Sequence, residues 1–469
     1  MKKNRKKLIF IFLILIIFAI ILKQNIRKIV NNEEILKQIY GEPIGEDGTI
    51  NNSYFGIEIN GKNAKDTLDG INKALEYANK KNIENVKLEK GTYIIDSQTD
   101  PKEYHYQEKG ITLKSNIKLD LNGSTIKHIA NNRPSYSLIS IIKVENVEIS
   151  NGILEGDRKE HIFTSNRHQF GHGIDIAGSK NLNIHDLEII NMIGDGIYVS
   201  DISNSNKELE GTQNVKINNC NIYNCRRQGI SIIIGDNIEI FQNEIHNISG
   251  SDPQTCIDLE TGNKENAIRN IKIYNNKLYS AESKRAIVLS KNVYETSIWA
   301  NEIEGQIRTY NAENEINIYN NMINNGGIIG VLSESNIEDE KYYVKKIHIT
   351  NNVLKNAYIS LGRLNDSIIE KNEIENGYIS VENMNSAVFN NKIINSNDTE
   401  MEYAISYINN TNALKKYNIF SINNNIIGKF KELQKNGENL EITDNYNQMQ
   451  NYINKFNEKN WNVTNITFP

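Results

Sequence analysis

The sequence predicts an all-β solenoid, in which one chain winds into coils that stack on one another. The first observation is a recurring window of the form N-h-x-h-x-N-N-x-h-x-N, where h is apolar, as in residues 214–224. The second is that apolar and polar positions alternate within it, as in strands that bury one face. The third is the short repeat itself, because stacked coils are the usual outcome of such periods. The eleven copies start at Asn146, Asn181, Asn214, Asn237, Asn270, Glu295, Glu315, Lys346, Asp366, Asn385 and Asn418.

The composition fits a narrow core with a large wetted surface. The chain has 469 residues, of which 38% are hydrophobic, and its mean hydropathy is −0.53. A solenoid of this length need not divide into domains, because each coil contacts only its neighbours. The net charge is −5, from 53 basic and 58 acidic residues, and no basic stripe is visible, so nucleic acid is not an expected partner. The 23 tyrosines suit an exposed β surface that meets sugars.

The cysteines do not predict a disulfide framework. Cys220, Cys225 and Cys256 are an odd number, and only the first two lie close in sequence. Two thiols five residues apart are too few ligands for zinc, so no metal site is predicted. We interpret all three as small side chains in or near stacked turns.

The first thirty residues have the pattern of an export signal. Basic residues lie on both sides of the apolar run Leu8–Leu22, and a basic start of this kind remains in the cytoplasm. The body of the chain is therefore expected outside the membrane. The run is longer than many signal-peptide cores and shorter than a full span, and no cleavage motif follows it, which favours an uncleaved anchor helix over residues 1–30. The alternative is a cleaved signal and secretion. Residues 31–53 are interpreted as a linker.

A helical cap is predicted at the start of the body. Apolar residues recur at helical spacing over residues 63–78, with Asp66 as the candidate N-cap. Such a helix would close the open end of the first coil and prevent edge-to-edge pairing. Residues 431–469 are assigned to a C-terminal cap.

Two phrases after the helix carry a family resemblance. Residues 86–93 read V-K-L-E-K-G-T-Y, and residues 111–126 read I-T-L-K-S-N-I-K-L-D-L-N-G-S-T-I. This order resembles the N-terminal part of the pectate-lyase-like superfamily, and the downstream windows resemble its parallel β-helix repeats. The resemblance covers residues 54–430 and implies a single-stranded right-handed parallel β-helix. It implies no single reaction, because lyases, hydrolases, epimerases and non-catalytic adhesins share this fold.

The sequence lacks the complete motif sets of two enzyme groups in that superfamily. His172 stands in G-H-G, as in polygalacturonases, but their N-T-D, paired-Asp and R-I-K motifs do not occur around it in order. The D-P-H-D motif of alginate epimerases is also missing. Some lyases of the superfamily hold a uronate through Ca²⁺, so Ca²⁺ stays open as a cofactor, although no dedicated ligand cluster is visible in the sequence. No other cofactor is predicted.

A second phrase, G-I-x-h or a close variant, recurs once per coil over residues 173–289. Its apolar residues are expected inside and its middle residues outside, with neighbouring coils about 4.8 Å apart. One predicted outward column contains Asp175, Tyr198, Ser231, Asp258 and Val288. A parallel column contains Ala177, Ser200, Ile233, Glu260 and Ser290. The recurring asparagines are interpreted as a ladder that satisfies turn backbone groups, because Asn tolerates left-handed turns.

Three acids on these coils are the candidate catalytic residues. Asp258 and Glu260 lie two apart on one predicted strand, which places them on one face about 6.6 Å apart. Inverting glycosidases hold their two carboxyl groups about 6.5–9.5 Å apart, with water between them. Asp195 begins a strand two coils earlier and has glycine on both sides, which allows a ligand to approach closely. The structural alternatives are solvated strand acids and a turn aspartate bound to its own backbone.

Five further residues are candidates for substrate binding. Arg226 and Arg227 are adjacent in sequence and can hold a carboxylate bidentately, as on a uronic acid. His172 can donate a proton or bind a sugar hydroxyl. Asp157, on an inserted loop, and Asp175, in the outward column, complete the set. The alternatives are salt bridges to nearby acids and a turn histidine.

These residues together predict an extracellular carbohydrate-active enzyme that acts on a polymeric glycan. Hydrolysis by paired carboxylates is favoured over elimination or epimerisation, because carboxylates outnumber plausible bases of higher pKa. The expected partners are a polysaccharide and, through the N-terminal helix, a membrane. The alternatives are a non-catalytic glycan-binding adhesin and a spacer that lifts another module from the membrane. Two converging acids would favour an enzyme, whereas acids splayed apart and each paired with arginine would favour a binder.

Overall fold

The body of the chain is a parallel β-helix with three sheets, here named A, B and C. Each coil passes through a strand of sheet C, then one of sheet A, then one of sheet B, and returns to sheet C one level further along. Strands at the same position in successive coils pair in parallel and in register. The computed structural model describes residues 32–458 except 98–109, 166, 201, 204–208, 262–266, 280, 291, 311–313, 332–345, 363–365, 383, 398–399, 409–416, 432–433 and 437–439.

The strands are short and recur at the same place in each coil. Sheet A contains Asn85–Lys87, Gln213–Asn218, Gly235–Phe241, Ile268–Tyr274, Tyr294–Trp299, Asn314–Tyr319, Lys346–Thr350, Asp366–Glu370, Asn385–Phe389, Tyr417–Ile422 and Leu440–Thr443. Sheet B contains Thr92–Ile95, Asn221–Tyr223, Glu244–His246, Lys277–Tyr279, Val353–Lys355, Glu373–Glu375, Lys392–Ile394 and Asn425–Ile427. Sheet C contains Ile111–Thr112, Ser135–Ile142, Phe170–Ala177, Ile197–Ser200, Gln228–Ile232, Thr255–Leu259, Arg285–Leu289, Tyr358–Gly362, Ile379–Glu382, Ile405–Ile408 and Gln434–Asn436.

A few longer strands bend from one sheet into the next. Those shared by sheets A and B are Lys118–His128, Glu145–Glu155 and Lys180–Ile190. Those shared by sheets B and C are Glu302–Tyr310 and Met322–Val331. A separate antiparallel pair, Ile202–Ser203 with Leu209–Glu210, forms a small two-stranded sheet.

The asparagine window is two strands and not one, because the chain bends in its middle. In the window of residues 214–224, Asn214, Asn219 and Asn224 have φ of 56°, 53° and 55°. This left-handed conformation is uncommon for residues with a side chain, and Asn adopts it most readily after Gly. The bend at the central Asn separates the strand of sheet A from that of sheet B. The sequence pattern predicts two strands per coil. The bend at the left-handed Asn divides one of them, so that each coil has three strands.

Isoleucines fill the interior by stacking in vertical columns. One column on sheet C is paired residue to residue from coil to coil, and each of its members is at most 2% exposed. A buried isoleucine contributes about 1.5–3 kcal/mol to stability, so a column of this length is a major part of the core. Its members are Ile111, Ile139, Ile174, Ile197, Ile230, Ile257, Ile287, Ile307, Ile328, Ile359, Ile379 and Ile405.

A ladder of buried asparagines runs inside the bend between sheets A and B. In the rung at Asn301, the side-chain Nδ2 donates to Ile273 O at 2.9 Å and to Asn321 Oδ1 at 2.9 Å. Its Oδ1 accepts from the backbone N–H of Asn276 at 2.9 Å. The bend leaves backbone groups without a sheet partner, and the amide supplies both a donor and an acceptor to them. The predicted ladder is therefore confirmed, and it contains Asn243, Asn276, Asn301, Asn321, Asn352, Asn372, Asn391 and Asn424.

The N-terminal cap is the predicted amphipathic helix. It spans Ala64–Lys80 and buries the predicted apolar stripe against the first coil. The helix begins after Asn63, so Asp66 lies in its first turn and is not the N-cap. The segment predicted as a linker is partly structured, because residues 32–40 are helical and Ile50 is fully buried in the core.

A C-terminal helix, Tyr446–Glu458, covers part of the outer face of sheet A. Met449 and Phe456 are buried against Phe389 and Phe420 of that face. The strands of sheet A continue to Leu440–Thr443, beyond the boundary at residue 430 drawn from the repeats.

Two predictions from the sequence remain, those for the cysteines and for the N-terminal anchor. Cys220, Cys225 and Cys256 are free, buried thiols, and burial raises the pKa of each to about 12. Cys220 and Cys225 lie near turns, as predicted, whereas Cys256 lies in the strand Thr255–Leu259. Within the part of the chain that the structure describes, no helix is both long and apolar enough to span a bilayer. The predicted anchor at residues 1–30 lies outside the described residues.

Candidate functional site

Acidic and basic side chains gather on the outer face of sheet C, over the coils between residues 170 and 260. The register pairs Asp175 with Tyr198, Tyr198 with Ser231, Ser231 with Asp258 and Asp258 with Val288. The predicted outward column is therefore confirmed. Parallel pairing produces it, because residues with the same position in each strand must stack when the register is constant.

Asp195 lies just before one strand of this column and is fully buried. Its Oδ2 accepts from Arg227 Nη1 at 2.9 Å and from Ser231 Oγ at 2.9 Å. Burial raises the pKa of Asp195, and Arg227 and Ser231 oppose that rise by stabilising the carboxylate. Its other oxygen, Oδ1, has no hydrogen-bond partner among the described residues.

Asp258 lies two coils further along, and only 2% of its surface is exposed. Its Oδ2 accepts from Gln228 Nε2 at 2.7 Å, and its Oδ1 has no hydrogen-bond partner among the described residues. Burial raises the pKa of Asp258 to about 7, and the negative charge of Glu260 adds to the rise. This carboxyl group is therefore protonated in a large fraction of molecules near neutral pH.

The two buried acids face the coil that lies between them. Ile230 of that coil pairs with Ile197 on one side and with Ile257 on the other. Asp195 and Asp258 thus lie two levels apart, about 9.6 Å along the helix axis, and Asp195 precedes by three positions the residue that stacks with Asp258, an offset of about 10 Å along the strands. Both side chains lean towards the middle coil, because their hydrogen-bond partners Ser231 and Gln228 belong to it.

The other two acids of the predicted site are more accessible. Glu260 is exposed and follows the last residue of the strand Thr255–Leu259, so it shares a face with Asp258 but not its burial. Asp175 is half-buried, and its Oδ2 accepts from Ser137 Oγ at 3.4 Å. These two residues form the rim of the site above the buried acids.

His172 contacts both Asp195 and the aromatic residue of the next coil. The backbone N–H of Asp195 donates to His172 Nδ1 at 3.2 Å, so the proton of the neutral ring is on Nε2. The imidazole stacks on Tyr198 with ring centroids 4.6 Å apart. His172 therefore belongs to the wall of the site, with its orientation fixed from two sides.

The two adjacent arginines point to different partners, contrary to the joint carboxylate clamp considered from the sequence. Arg227 binds Asp195, as described above, whereas Arg226 Nη1 donates to the backbone oxygen of His168 at 2.8 Å. The guanidinium of Arg226 lies 4.8 Å from the ring centroid of Phe163. The chain turns at this point, so the side chains of Arg226 and Arg227 diverge and cannot both bind one carboxylate.

Asp157 lies in the inserted loop, where neighbouring residues occupy one of its oxygens. It is 1% exposed, and its Oδ2 accepts from the backbone N–H and the Nδ2 of Asn131 at 3.1 and 2.8 Å. The same oxygen lies 2.8 Å from His161 Nδ1. The burial of Asp157 was not predicted, because nothing in the sequence indicated that the inserted loop folds back on itself.

Gln228 and Ser231 are the site residues that sequence reasoning did not select. Both are neutral, so an argument from chargeable side chains does not select them. Ser231 stood in the predicted outward column, and Gln228 directly precedes the G-I-S-I phrase, so their places next to the acids were accessible from the register.

A metal site and a sugar-binding surface of aromatic side chains are two further possibilities for a functional site. Among the described residues, no group of three or more His, Cys, Asp or Glu side chains is arranged to hold a metal ion. Several outer tyrosines stack on other rings, as Tyr274 does on Trp299 with centroids 4.3 Å apart. Since these ring faces are already covered, the tyrosine ladders stabilise the sheets and offer mainly their edges to a sugar.

Comparison with known proteins identifies the architecture. Residues 74–264 match the family described as right handed beta helix region. The uncharacterized protein YclG of Bacillus subtilis (strain 168) is 31% identical over 221 residues, which are 45% of this chain and 38% of that protein. The chain thus matches well under half of the length of this relative.

Solved structures show the same winding. The tailspike protein of E. coli bacteriophage HK620, in complex with a pentasaccharide, matches with a TM-score of 0.56 and 11% identity, over 80% of this chain and 76% of the tailspike chain. PfbA, a surface adhesin of Streptococcus pneumoniae, matches with a TM-score of 0.54 and 17% identity, over 72% of this chain and 89% of the adhesin chain. At such identities the likeness shows the fold alone. The chain is therefore a right-handed parallel β-helix protein, as its resemblance to the pectate-lyase-like superfamily implies.

Proposed function

We propose that this chain is an extracellular carbohydrate-active enzyme that hydrolyses a polymeric glycan at the outer face of sheet C. The observation that carries the proposal is the pair of buried aspartates, Asp195 and Asp258, each with one oxygen held and one without a hydrogen-bond partner in the part of the chain that the structure describes. A buried carboxyl oxygen without a partner is unfavourable by about 1–3 kcal/mol. Acids whose pKa is shifted as in this pair cluster at functional sites.

The environments of the two acids assign them different roles. Asp258 has a pKa of about 7 and is the proton donor to the leaving oxygen of the glycosidic bond. Asp195, beside the cation of Arg227, is the carboxylate that activates water. Burial raises the pKa of both acids, and the ion pair with Arg227 stabilises the charged form of Asp195.

Two carboxyl groups that approach one coil from its two sides favour hydrolysis by an acid and a base. Elimination is less suited to the site, because it needs a base near the sugar ring. Despite its burial, Arg227 has a raised pKa, since Asp195 and other nearby negative groups stabilise its charge, so it stays protonated.

The test is activity of the full chain on a panel of neutral and uronate polysaccharides, with reducing ends and unsaturated products both measured. Asp258→Asn should abolish product release. Asp236→Asn is the matched control, because Asp236 accepts from Asn270 Nδ2 in an exposed turn ladder, and an Asn there can accept the same bond. Absence of product from every polymer, or equal loss in the control, would refute the proposal.

A glycan-binding adhesin is the second candidate, and the ion pair of Asp195 with Arg227 favours it, because an acid held by an arginine is often structural. The tailspike, which shares this fold, was solved in complex with a pentasaccharide, and this supports a glycan-binding role. Binding of a polysaccharide without any turnover, unchanged in Asp258→Asn, would select the adhesin.

A further inference from the structure

A chain of four polar side chains crosses the loop that precedes the strand Phe170–Ala177, and the proposed glycan site does not use it. Asp157 Oδ2 lies 2.8 Å from His161 Nδ1, and His161 Nε2 lies 2.8 Å from His168 Nδ1. His168 Nε2 lies 2.9 Å from Thr164 Oγ1. The first three residues are buried, and Thr164 at the end is exposed.

With both rings neutral, the direction of each proton follows from the acid at the inner end of the relay. Burial raises the pKa of Asp157, but hydrogen bonds from His161 and Tyr136 and the nearby rings of His161 and His128 together lower it further, so the carboxylate only accepts. His161 must then donate from Nδ1 and, as a neutral ring, accept at Nε2. His168 therefore donates from Nδ1 and accepts at Nε2, and the hydroxyl of Thr164 must donate its proton.

This arrangement is that of an activated nucleophile. A hydroxyl that donates to a histidine, which is oriented through its other nitrogen toward a buried carboxylate, is the geometry used for attack on acyl groups. Here a second histidine extends the connection between the base and the carboxylate. Asp157 is fixed by both nitrogens of Asn131, so the whole relay is held rigidly from its buried end.

We propose that Thr164, His168, His161 and Asp157 form a second catalytic centre that hydrolyses carboxylic esters of small acyl groups. Thr164 Oγ bonds to the ester carbonyl carbon while its proton passes to His168 Nε2. The tetrahedral intermediate then breaks its C–O bond to the alcohol, which leaves with the proton from His168. Water, deprotonated by the same nitrogen, cleaves the acyl-threonine, so that ester and water give acid and alcohol.

The surroundings of Thr164 suit this class of substrate. Ile162 and Phe163 are exposed by 64% and 43%, which gives the hydroxyl an apolar border for an acyl group. Arg226 carries a positive charge to the same loop, and it makes no ion pair with any described residue. Its remaining N–H groups can stabilise the negative oxygen of the intermediate.

The natural substrate class, acyl esters on sugar hydroxyls, rests on the proposed glycan function, but the chemistry does not. The full chain is therefore first assayed on p-nitrophenyl acetate, which contains no sugar, and then on an O-acetylated polysaccharide with acetate release measured. Activity on the first substrate alone would support the centre and reject its link to glycans.

The decisive experiment labels the protein with a fluorophosphonate and maps the adduct by mass spectrometry. The adduct should lie on Thr164, and Thr164→Val should lose both the adduct and at least a hundredfold in ester hydrolysis, as expected when a general base loses its partner. Thr164→Ser should retain both. Ser165→Ala, which removes the neighbouring exposed hydroxyl, is the matched control and should change neither.

His168→Gln separates catalysis from loop structure, because it removes the base while leaving Thr164 in place. Its adduct yield should fall about a hundredfold with a melting temperature close to that of the unmodified chain. An adduct on another residue, or no adduct and no ester hydrolysis in a folded protein, would overturn the proposal and leave the relay as a loop clamp.

Discussion

The substitution Asp258→Asn should inactivate the proposed glycosidase and at the same time stabilise the fold. The side chain keeps its size, and the amide oxygen of Asn can still accept from Gln228 Nε2, the bond that Asp258 Oδ2 makes at 2.7 Å. What changes is that the group can no longer ionise. Activity and stability are therefore expected to move in opposite directions, which a residue needed only for folding would not show.

The stabilisation follows from the raised pKa. The ordinary pKa of this carboxyl is 3.8, and burial with nearby negative charge raises the pKa in the folded chain to about 7. The folded state thus keeps a proton that the unfolded chain has released, so stability falls as pH rises between these two values. A shift of about three units at about 1.4 kcal/mol each gives about 4 kcal/mol, the order of magnitude by which Asp258→Asn should stabilise the chain at pH 8. At pH 4 and below the difference should vanish.

The loss of activity follows from the role as proton donor. Removal of a general acid lowers the rate by about 10²–10⁴-fold. In the unmodified chain, the same group should give an alkaline limb at about pH 7, because only the protonated form donates. At pH 9 about one molecule in a hundred would be protonated, so kcat should be about a hundredfold below its plateau.

The assay combines reducing-end release with thermal melting at pH 5 and pH 8. The unmodified chain should melt at a lower temperature at pH 8 than at pH 5, and Asp258→Asn should reduce this difference. A variant that is less stable than the parent at pH 8, or one that keeps full activity, would refute the assignment of a buried, protonated acid.

Three further outcomes are expected. Glu260→Gln removes the negative charge that contributes to the raised pKa of Asp258, so the alkaline limb of the pH–rate profile should move to lower pH. Arg227→Met leaves Asp195 without its buried cation and should destabilise the chain at pH 8 by about 3–5 kcal/mol in chemical denaturation, with a smaller loss at pH 4 where the acid can protonate. Asn301→Ala leaves ladder groups unsatisfied at two neighbouring coils and should lower the free energy of unfolding by about 2–4 kcal/mol.

Each of these has a result that would contradict it. An alkaline limb that stays in place in Glu260→Gln would mean that the titrating group is not Asp258. Equal destabilisation of Arg227→Met at both pH values would show that the ion pair is not the cause. A ladder variant with unchanged unfolding would mean that water replaces the lost amide.

The repeat and its asparagines could be predicted well because they are local. The left-handed turns, the alternating strands and the constant register all follow from residue types at fixed spacing, and the column from Asp175 to Asp258 follows from the register. The bend that splits each window was missed, because a single residue with positive φ does not interrupt the apolar alternation around it.

The sequence by itself determined the winding of this protein, the faces of its strands and the coil on which each acid lies. Only the tertiary structure decided which of those acids are buried, that Arg226 and Arg227 diverge, and that the loop of residues 157–168 joins an aspartate, two histidines and a threonine. The physical reason is that stacking in a β-helix depends on a period written along the chain. Burial and hydrogen bonding in the inserted loops depend instead on neighbours from other coils, which no local pattern specifies.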